Sequence, residues 1–478
     1  MKILMVAPEA TPFAKTGGLA DVVGALSATL RSLGHEIAVF MPRYAHVSLQ
    51  GLPRVYQDLR VWFGPTCHTC TVYEASDRGV CYWLLDCPHL FDREGIYGDE
   101  AGDYPDNHAR FAVLNHAALN VIRYLFRPDI IHCHDWQTGL LPTYIKTRYA
   151  LDPSFIGPKT VFTIHNLGYK GLFPRTALAE VGLDDALFSP GLLEFDGQIS
   201  YLKAGLVYSD ALTTVSRAYA REIQTPELGF GLESTLQQRA DVLWGIQNGV
   251  DYSEWDPSVD THIAARYTPE DLSGKRACKA DLLGALGMEE NLERPLIGIV
   301  SRLAGQKGFD LIEEAGDALM AEDVALAVLG SGDPRYENLF RDLAERYPGR
   351  VGLYVGYNNE LAHKIEAGAD LFLMPSEYEP SGLNQIYSLR YGTVPVVRAT
   401  GGLDDTVEAG VTGFKFREYT GAALLSAMRT ALAAYGDRKR WNAIVQEGMR
   451  RDYSWARSAR EYEELYRGLA GKAARAAA

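Results

Sequence analysis

The sequence predicts an α/β protein built from two parallel-sheet units, and three observations carry that expectation. Short apolar, β-rich runs alternate with longer helical patterns from end to end, the pattern of strands joined by crossover helices. The alternation breaks between 251 and 293, where turn residues, charges and one modest helix replace it, as in a connection between domains. The first strand of each series is followed by a loop with Lys ahead of Gly and then a helix, Lys15-Thr16-Gly17-Gly18 in one and Gln306-Lys307-Gly308 in the other. Two such units facing across a cleft would bring both lysines to one crevice.

In the first unit, 1–250, strands are expected at Lys2–Val6, Glu36–Phe40, Thr71–Ala75, Cys81–Asp86, Asp129–Cys133, Thr160–Ile164, Ala211–Val215 and Val242–Ile246. In the second, 251–453 including the connection, they resume at Leu296–Val300, Ala325–Leu329, Val351–Val355, Asp370–Met374 and Val394–Arg398. The closing stretch, 454–478, opens as a helix over Ser454–Leu469 with Trp455, Tyr462 and Tyr466 on related faces.

The chain has 478 residues, 47% hydrophobic and 23% charged, enough for the cores of two or three domains. A formal net charge of -14 argues against a nucleic-acid partner, because phosphate backbones are held by an excess of Lys and Arg. The N-terminal apolar run is too short for a signal peptide and no later run would cross a bilayer, so no membrane partner and a cytoplasmic location are expected. Six cysteines do not make a disulfide framework in a chain this long. Cys67, Cys70, Cys81 and Cys87 with His132-Cys133-His134 can be drawn as a zinc set. The odd separation of Cys67 and Cys70 beside a strand points them to opposite faces, however, so reduced, packed thiols and no metal are expected.

Candidate chemistry lies in the loops at strand ends, where α/β proteins bind ligands. The strand ending at Met374 empties into Ser376-Glu377-Tyr378-Glu379-Pro380-Ser381-Gly382-Leu383, and Ser381 is placed to cap the helix that follows. Glu379 reads either as a grip on hydroxyls or a developing positive charge, or as a solvated loop carboxylate beside Glu377. Arg302 and Lys307 offer a planar fork and a mobile point charge suited to a diphosphate, or are two surface cations. Gly17 and Gly18 allow close backbone approach and unusual dihedrals. Gly401 and Gly402 form either a second close-approach turn or a structural helix start. Gly330-Ser331-Gly332 lacks the third glycine of a dinucleotide fingerprint, which weakens a nicotinamide reading. His165, Asp135 and Trp136 follow first-unit strands and would suit a sugar, with Trp136 as a face for a pyranose ring. His132 reads as buried structure, and Tyr357 as a base-stacking ring or plain packing. No Gly-x-Ser-x-Gly elbow or His-Glu-x-x-His helix occurs.

Taken in order, Lys15-Thr16-Gly17-Gly18-Leu19-Ala20-Asp21, Thr163-Ile164-His165-Asn166, Asn248-Gly249-Val250-Asp251, Ser301 to Gly308 and Glu379-Pro380-Ser381-Gly382-Leu383 resemble the bacterial glycogen synthases and plant starch synthases. The resemblance runs nearly the whole length. It implies a GT-B fold and retaining transfer of glucose from ADP-glucose to the non-reducing end of an α-1,4-glucan, with no metal or other cofactor. The first unit would then be the acceptor side and the second the donor side, with the last helix returning to the first. By the same resemblance Glu379, His165, Arg302 and Lys307 form the catalytic group. Lys15, Gly17, Gly18, Asp21, Asn248, Tyr357, Ser381, Gly382, Leu383, Gly401 and Gly402 hold the donor, and Asp135 and Trp136 are acceptor-side candidates. Related GT-B enzymes often carry a second Glu after seven intervening residues, where this chain has Tyr387. That unsettles a ribose-binding role. Rival expectations are another GT-B activity, such as a sucrose-type synthase or a sugar-nucleotide epimerase, and a glucan- or nucleotide-binding protein that has lost activity.

Overall fold

The computed structural model describes residues 1–63 and 66–476 and divides into two compact units. The first comprises Met1–Val215, Ala220–Ile246 and the C-terminal helix Trp455–Ala476, and the second comprises Ser216–Tyr219 and Gln247–Ser454.

The large sheet of the first unit contains Lys2–Val6 (β1), Glu36–Pro42 (β2), Arg54–Phe63 (β3), Thr66–Asp77 (β4), Val80–Asp86 (β5), Ile130–His134 (β6), Lys159–Ile164 (β7), Ala211–Thr214 (β8) and Leu243–Gly245 (β9). Their spatial order is β9-β8-β7-β6-β1-β2-β5-β4-β3. Every pairing from β9 to β5 is parallel, whereas β5–β4 and β4–β3 are antiparallel. The expectation of a wholly parallel sheet therefore fails at this edge. The expected strand at Thr71–Ala75 is the centre of a longer β4, and β3 was not expected at all. Among the described side chains of β3 only Leu59 and Val61 are buried, Arg54, Gln57 and Arg60 are exposed, and two register irregularities interrupt the alternation around Asp58, whose φ is 52°. An edge strand with one solvated face and a broken period gives a weak pattern.

The second unit holds Leu296–Val300 (β10), Ala325–Gly330 (β11), Val351–Val355 (β12), Leu371–Met374 (β13), Val394–Arg398 (β14) and Phe414–Phe416 (β15), in the order β12-β11-β10-β13-β14-β15 and parallel throughout. Alternate residues enter different cores. Ile297, Ile299, Leu326 and Val328 pack into one cluster, while Leu296, Ala325, Ala327 and Leu329 pack into another. Both faces of the sheet are thus covered, which is why these strands read as unbroken apolar runs. The carboxyl edge is left to the loops after β10, β11, β12, β13 and β14.

The C-terminal helix carries buried Trp455, Ala459, Tyr462 and Tyr466, spaced four, three and four residues apart, which is one helical face. Tyr466 places its hydroxyl 2.7 Å from Nδ1 of His132 on β6, and Glu463 meets His35 at 3.0 Å. The hydrogen bond at His132 is fully buried, so losing the hydroxyl leaves an imidazole nitrogen without its partner. Tyr466→Phe is expected to cost the first unit about 1–2 kcal/mol, read as an earlier midpoint in urea denaturation followed by tryptophan fluorescence.

Candidate active site

In the first unit, β1 runs on into Glu9, and Glu9 organises the Lys15 loop. Its carboxylate accepts the backbone N–H of Thr16 and the Thr16 hydroxyl, the latter at 2.9 and 3.0 Å, and is hydrogen-bonded to Tyr97. Burial raises the Glu9 pKa above the ordinary carboxylate value, against the pull of the Thr16 bonds. The Lys15 ammonium lies 2.8 Å from Asp21, in the first turn of helix Gly18–Ser32. Lys15 is exposed and Asp21 partly so, so the pair is worth less than about 1 kcal/mol and is cheap to separate. Gly17 is extended, with φ -159°, and neither Gly17 nor Gly18 has a positive φ, so the expected need for unusual dihedrals is corrected. What they supply is room. A Cβ on either would meet nothing within 4 Å, and the helix starts without a side-chain cap, leaving N–H groups for an anion.

At the ends of β6 and β7 three imidazoles follow one another. His132 bonds to Tyr466 and, at 2.5 Å, to the Thr163 hydroxyl, so the expected structural role is what the structure gives it. Nδ1 of His134 lies 3.1 Å from Nε2 of His165, and Nε2 of His134 is buried with no hydrogen-bond partner among the described residues. Burial lowers the pKa values of His132 and His165 to about 3, and that of His134 falls well below its ordinary value. His165 is thus a neutral donor or acceptor at the edge of the sheet.

Asp135 and Trp136 do not present themselves to an acceptor. The Asp135 carboxylate accepts the backbone N–H of His165 at 2.8 Å and that of Asn166, and burial raises its pKa to about 7. Its backbone sits at φ 57°, ψ -179°, a region an L residue enters at a cost of about 1–3 kcal/mol. The side chain therefore fixes the His165–Asn166 turn and is not free to grip hydroxyls. Trp136 is packed among Phe111, Phe173 and Tyr201, with ring centroids 5.1, 5.7 and 6.4 Å away. Gly171, at φ 57°, lies so close to the indole that a Cβ there would come within 2.5 Å of it. That face is closed to a sugar ring.

The second unit assembles more of the expected residues. Lys307, in the short turn Gly305–Lys307 after β10, places its ammonium 2.6 Å from Oε2 of Glu379, in the loop after β13. The Ser376 hydroxyl donates to the same oxygen at 3.0 Å, and Glu379 is buried. Three glycines press on this loop. A Cβ on Gly308, which has φ 73°, would lie 2.1 Å from the Pro375 carbonyl oxygen, and Cβ atoms on Gly401 and Gly402 would lie 1.9 and 1.8 Å from those of Glu379 and Ser381. The close approach at Gly401 and Gly402 is thus to the Glu379 loop itself, and helix Gly401–Thr406 begins there. Gln306 ties the two loops further, donating to the Tyr378 carbonyl and accepting from the Glu377 N–H.

Ser381 does not cap the following helix. That helix is Asn384–Arg390, Leu383 stands at its cap position, and the Ser381 hydroxyl donates weakly to the Gly382 carbonyl at 3.4 Å. Gly382 turns the chain at φ 64°, and Gln385 fills the space beside it and holds the Ser381 and Gly382 carbonyls. Arg302 is exposed with no ion pair among the described residues, and Glu377 is exposed as expected. Tyr357 follows β12 with its ring 87% exposed, so it is not plain packing. Asn248 belongs to this unit, and its Oδ1 is buried without a hydrogen-bond partner among the described residues, an acceptor that a hydroxyl would satisfy. Tyr387 stacks on Trp255 at 4.2 Å, and Trp255 on His363 at 3.8 Å, so the place of the family's second Glu is taken up by packing.

Two contributors escaped the sequence. Glu9 carries no motif, and its role appears only once Thr16 folds back on it. Ser216, just after β8, belongs to the second unit and donates to the Pro380 carbonyl at 2.7 Å, while the neighbouring Ala218 N–H bonds to Asp405. The zinc set drawn from the sequence does not assemble as drawn. Cys133 is buried in β6, His132 is spent on Tyr466 and Thr163, and Cys67 alternates with Cys70 across β4. A different group, His68, Cys87 and His89, comes together instead.

Two Rossmann-like units with these loops at their sheet edges define a glycosyltransferase of the GT-B class. Residues 2–238 match the starch synthase catalytic domain family, and residues 288–447 match glycosyl transferases group 1. The glycogen synthase of Koribacter versatilis is 50% identical over 98% of both chains, and that of Anaeromyxobacter dehalogenans strain 2CP-C is 50% identical over 98% of this chain and all of its own. Among solved structures, the catalytic domain of Starch Synthase IV from Arabidopsis thaliana, bound to ADP and acarbose, superposes with a TM-score of 0.89 at 31% identity, covering 98% of this chain and 99% of that one. The chain belongs to the glycogen and starch synthase family and is a glucan-synthesising glycosyltransferase. Among the described residues no helix is long and apolar enough to cross a membrane.

The imidazole row has a pH signature. Because the folded pKa values of His132 and His165 lie near 3 and the ordinary value is 6.5, the unfolded chain binds more protons between those limits, so these groups subtract stability as pH falls below 6.5. Histidine-selective NMR is expected to find both rings neutral at pH 5. A titration midpoint near 6.5 for either would contradict the buried row.

Proposed function

We propose that the enzyme transfers glucose from ADP-glucose, with retention of configuration, to the non-reducing end of an α-1,4-glucan and releases ADP. The observation that carries this reading is the Lys307–Glu379 pair, which sets a buried carboxylate beside a cation at the carboxyl edge of the second sheet. The ADP and acarbose bound by the Arabidopsis relative support the choice of donor and acceptor class.

In this reading the second unit holds the donor. Arg302 and Lys307 take the diphosphate and stabilise the charge that gathers as it leaves, Tyr357 stacks on the base, and Asn248 and the loop from Glu379 to Leu383 take the sugar, with Gly401 and Gly402 holding that loop. Glu379 meets glucose hydroxyls and balances the oxocarbenium-like charge on the ring. The first unit serves the acceptor and adds Lys15, Asp21, the Gly17-Gly18 turn and the neutral His165. Three lysine and arginine side chains supply positive charge for the phosphates, so we propose that transfer needs no cofactor. A double displacement requires a free carboxylate nucleophile. Asp135 is a poor one, since its oxygens accept backbone N–H groups and burial favours its protonated form. We therefore favour front-side displacement, in which the departing phosphate oxygen takes the acceptor proton as the new glycosidic bond forms. The partners are a nucleotide sugar and a glucan, without nucleic acid or membrane, and the setting is the cytoplasm.

Labelled glucose should pass from ADP-glucose to glycogen, and faster than from UDP-glucose. Glu379→Ala is expected to lower kcat at least about 100-fold while ADP still binds. Tyr357→Ala, at an exposed ring, should leave thermal stability unchanged and raise the donor KM about tenfold through lost stacking. Full turnover in Glu379→Ala would overturn the role given to that carboxylate.

A further inference from the structure

The antiparallel edge of the first unit carries donors that the transfer reaction does not use. The β4–β5 ladder pairs Val72 with Leu85 and Thr71 with Asp86. Continued in register, it sets Cys70 opposite Cys87 and, two steps further, His68 opposite His89. His68 and Cys70 are two apart on β4, so they share a face, and both are buried. Cys87 is fully buried where the chain leaves β5 for the helical turn Pro88–Phe91, and His89 lies within that turn.

The side chains follow the ladder. Nδ1 of His68 lies 2.8 Å from Nε2 of His89, which lies 3.8 Å from Sγ of Cys87, and the donor atoms of these three residues all fall within 4.8 Å of one another. Cys70 stands next in the ladder, opposite Cys87, and is not one of these three. We propose that zinc binds His68, Cys87 and His89 and draws in Cys70, which shares the His68 face of β4, as its fourth ligand, tying the sheet edge to the segment leaving it.

Two thiolates and two imidazoles are the donor set of structural zinc, and four protein ligands leave no open position for chemistry. Zinc bonds of about 2.0–2.1 Å to nitrogen and 2.3 Å to sulfur imply N···N edges of about 3.4 Å and N···S edges of about 3.6 Å. The Cys87 to His89 spacing of 3.8 Å already agrees within a few tenths of an ångström, the two rings need part by roughly half an ångström, and Cys70 must turn in toward them. A hydrogen bond between neutral imidazoles accounts for the 2.8 Å contact, but it gives the Cys87 sulfur no reason to converge on it. Binding converts both thiols to thiolates and releases two protons for each zinc taken up.

The site would brace a segment that matters elsewhere. Beyond Cys87, Phe91 packs edge-on against Tyr44 and the Leu90 carbonyl accepts from buried Arg110. Further on, Tyr97 reaches Glu9, which holds Thr16 in the Lys15 loop.

The test measures zinc per chain by mass spectrometry in protein purified from zinc-supplemented cells and dialysed against metal-free buffer. Wild type and Cys67→Ser, whose side chain lies across β4, should each hold about one equivalent, while Cys87→Ser and His89→Gln should hold less than about a tenth. His89 is exposed, so His89→Gln keeps the test valid if Cys87→Ser fails to fold. Chelation should lower the melting temperature of wild type by several degrees and leave that of His89→Gln unmoved. In chelator-treated protein, Co²⁺ should restore a thiolate charge-transfer band together with tetrahedral visible absorption. Wild type that neither retains zinc nor gives the cobalt bands would overturn the proposal. So would full zinc retention in both Cys87→Ser and His89→Gln, or a Cys70–Cys87 disulfide in protein purified under reducing conditions.

Discussion

The ion pair between Lys307 and Glu379 is the constraint on which the second-unit site depends. It joins the loop after β10 to the loop after β13, two strands that are neighbours in the sheet. A buried carboxylate is tolerated because an ammonium and the Ser376 hydroxyl satisfy it, and taking either ion away strands the other at a cost of about 1–3 kcal/mol. Glycines at 308, 401 and 402 let neighbouring backbone press on the same loop, so its path is held from several sides. Preorganisation of this kind lets a carboxylate act on a developing charge without first being moved into place.

The first unit solves a related problem differently. Its lysine pairs with Asp21 on its own helix, exposed and cheap to displace, where Lys307 reaches a buried partner 72 residues further along the chain. Order there comes from Glu9 beneath Thr16 and from Asp135 beneath His165. The strained backbone of Asp135 is offset by two amide hydrogen bonds that fix the turn carrying the imidazole. Two buried carboxylates, Glu9 and Asp135, thus set the turns that carry Lys15 and His165.

Much of this was legible in the sequence, for physical reasons. Strands buried on both faces, such as Leu296–Val300, leave unbroken apolar runs, and loops at their carboxyl ends carry the Lys-Gly and Glu379 motifs. What escaped depended on tertiary partners. A loop aspartate and tryptophan look available until folding places the amides of His165 and Asn166 on Asp135 and Gly171 against Trp136. Ser381 looked like a cap because its residue type suits one, but Gly382 turns the chain first and the helix starts at Asn384. The zinc set drawn from the sequence joined Cys67, Cys70, Cys81 and Cys87 to His132-Cys133-His134, whereas an antiparallel ladder brings His68-Thr69-Cys70 opposite Cys87-Pro88-His89. Only the register reveals that mirrored arrangement.

Lys307 and Glu379, joined by one ion pair, are expected to work as one unit. A double-mutant cycle on kcat with ADP-glucose and glycogen, using Lys307→Met, Glu379→Gln and the double variant, tests it directly. If the pair acts as a unit, the double variant loses no more than the worse single variant. Losses that multiply would contradict it, meaning that the two residues serve the donor independently.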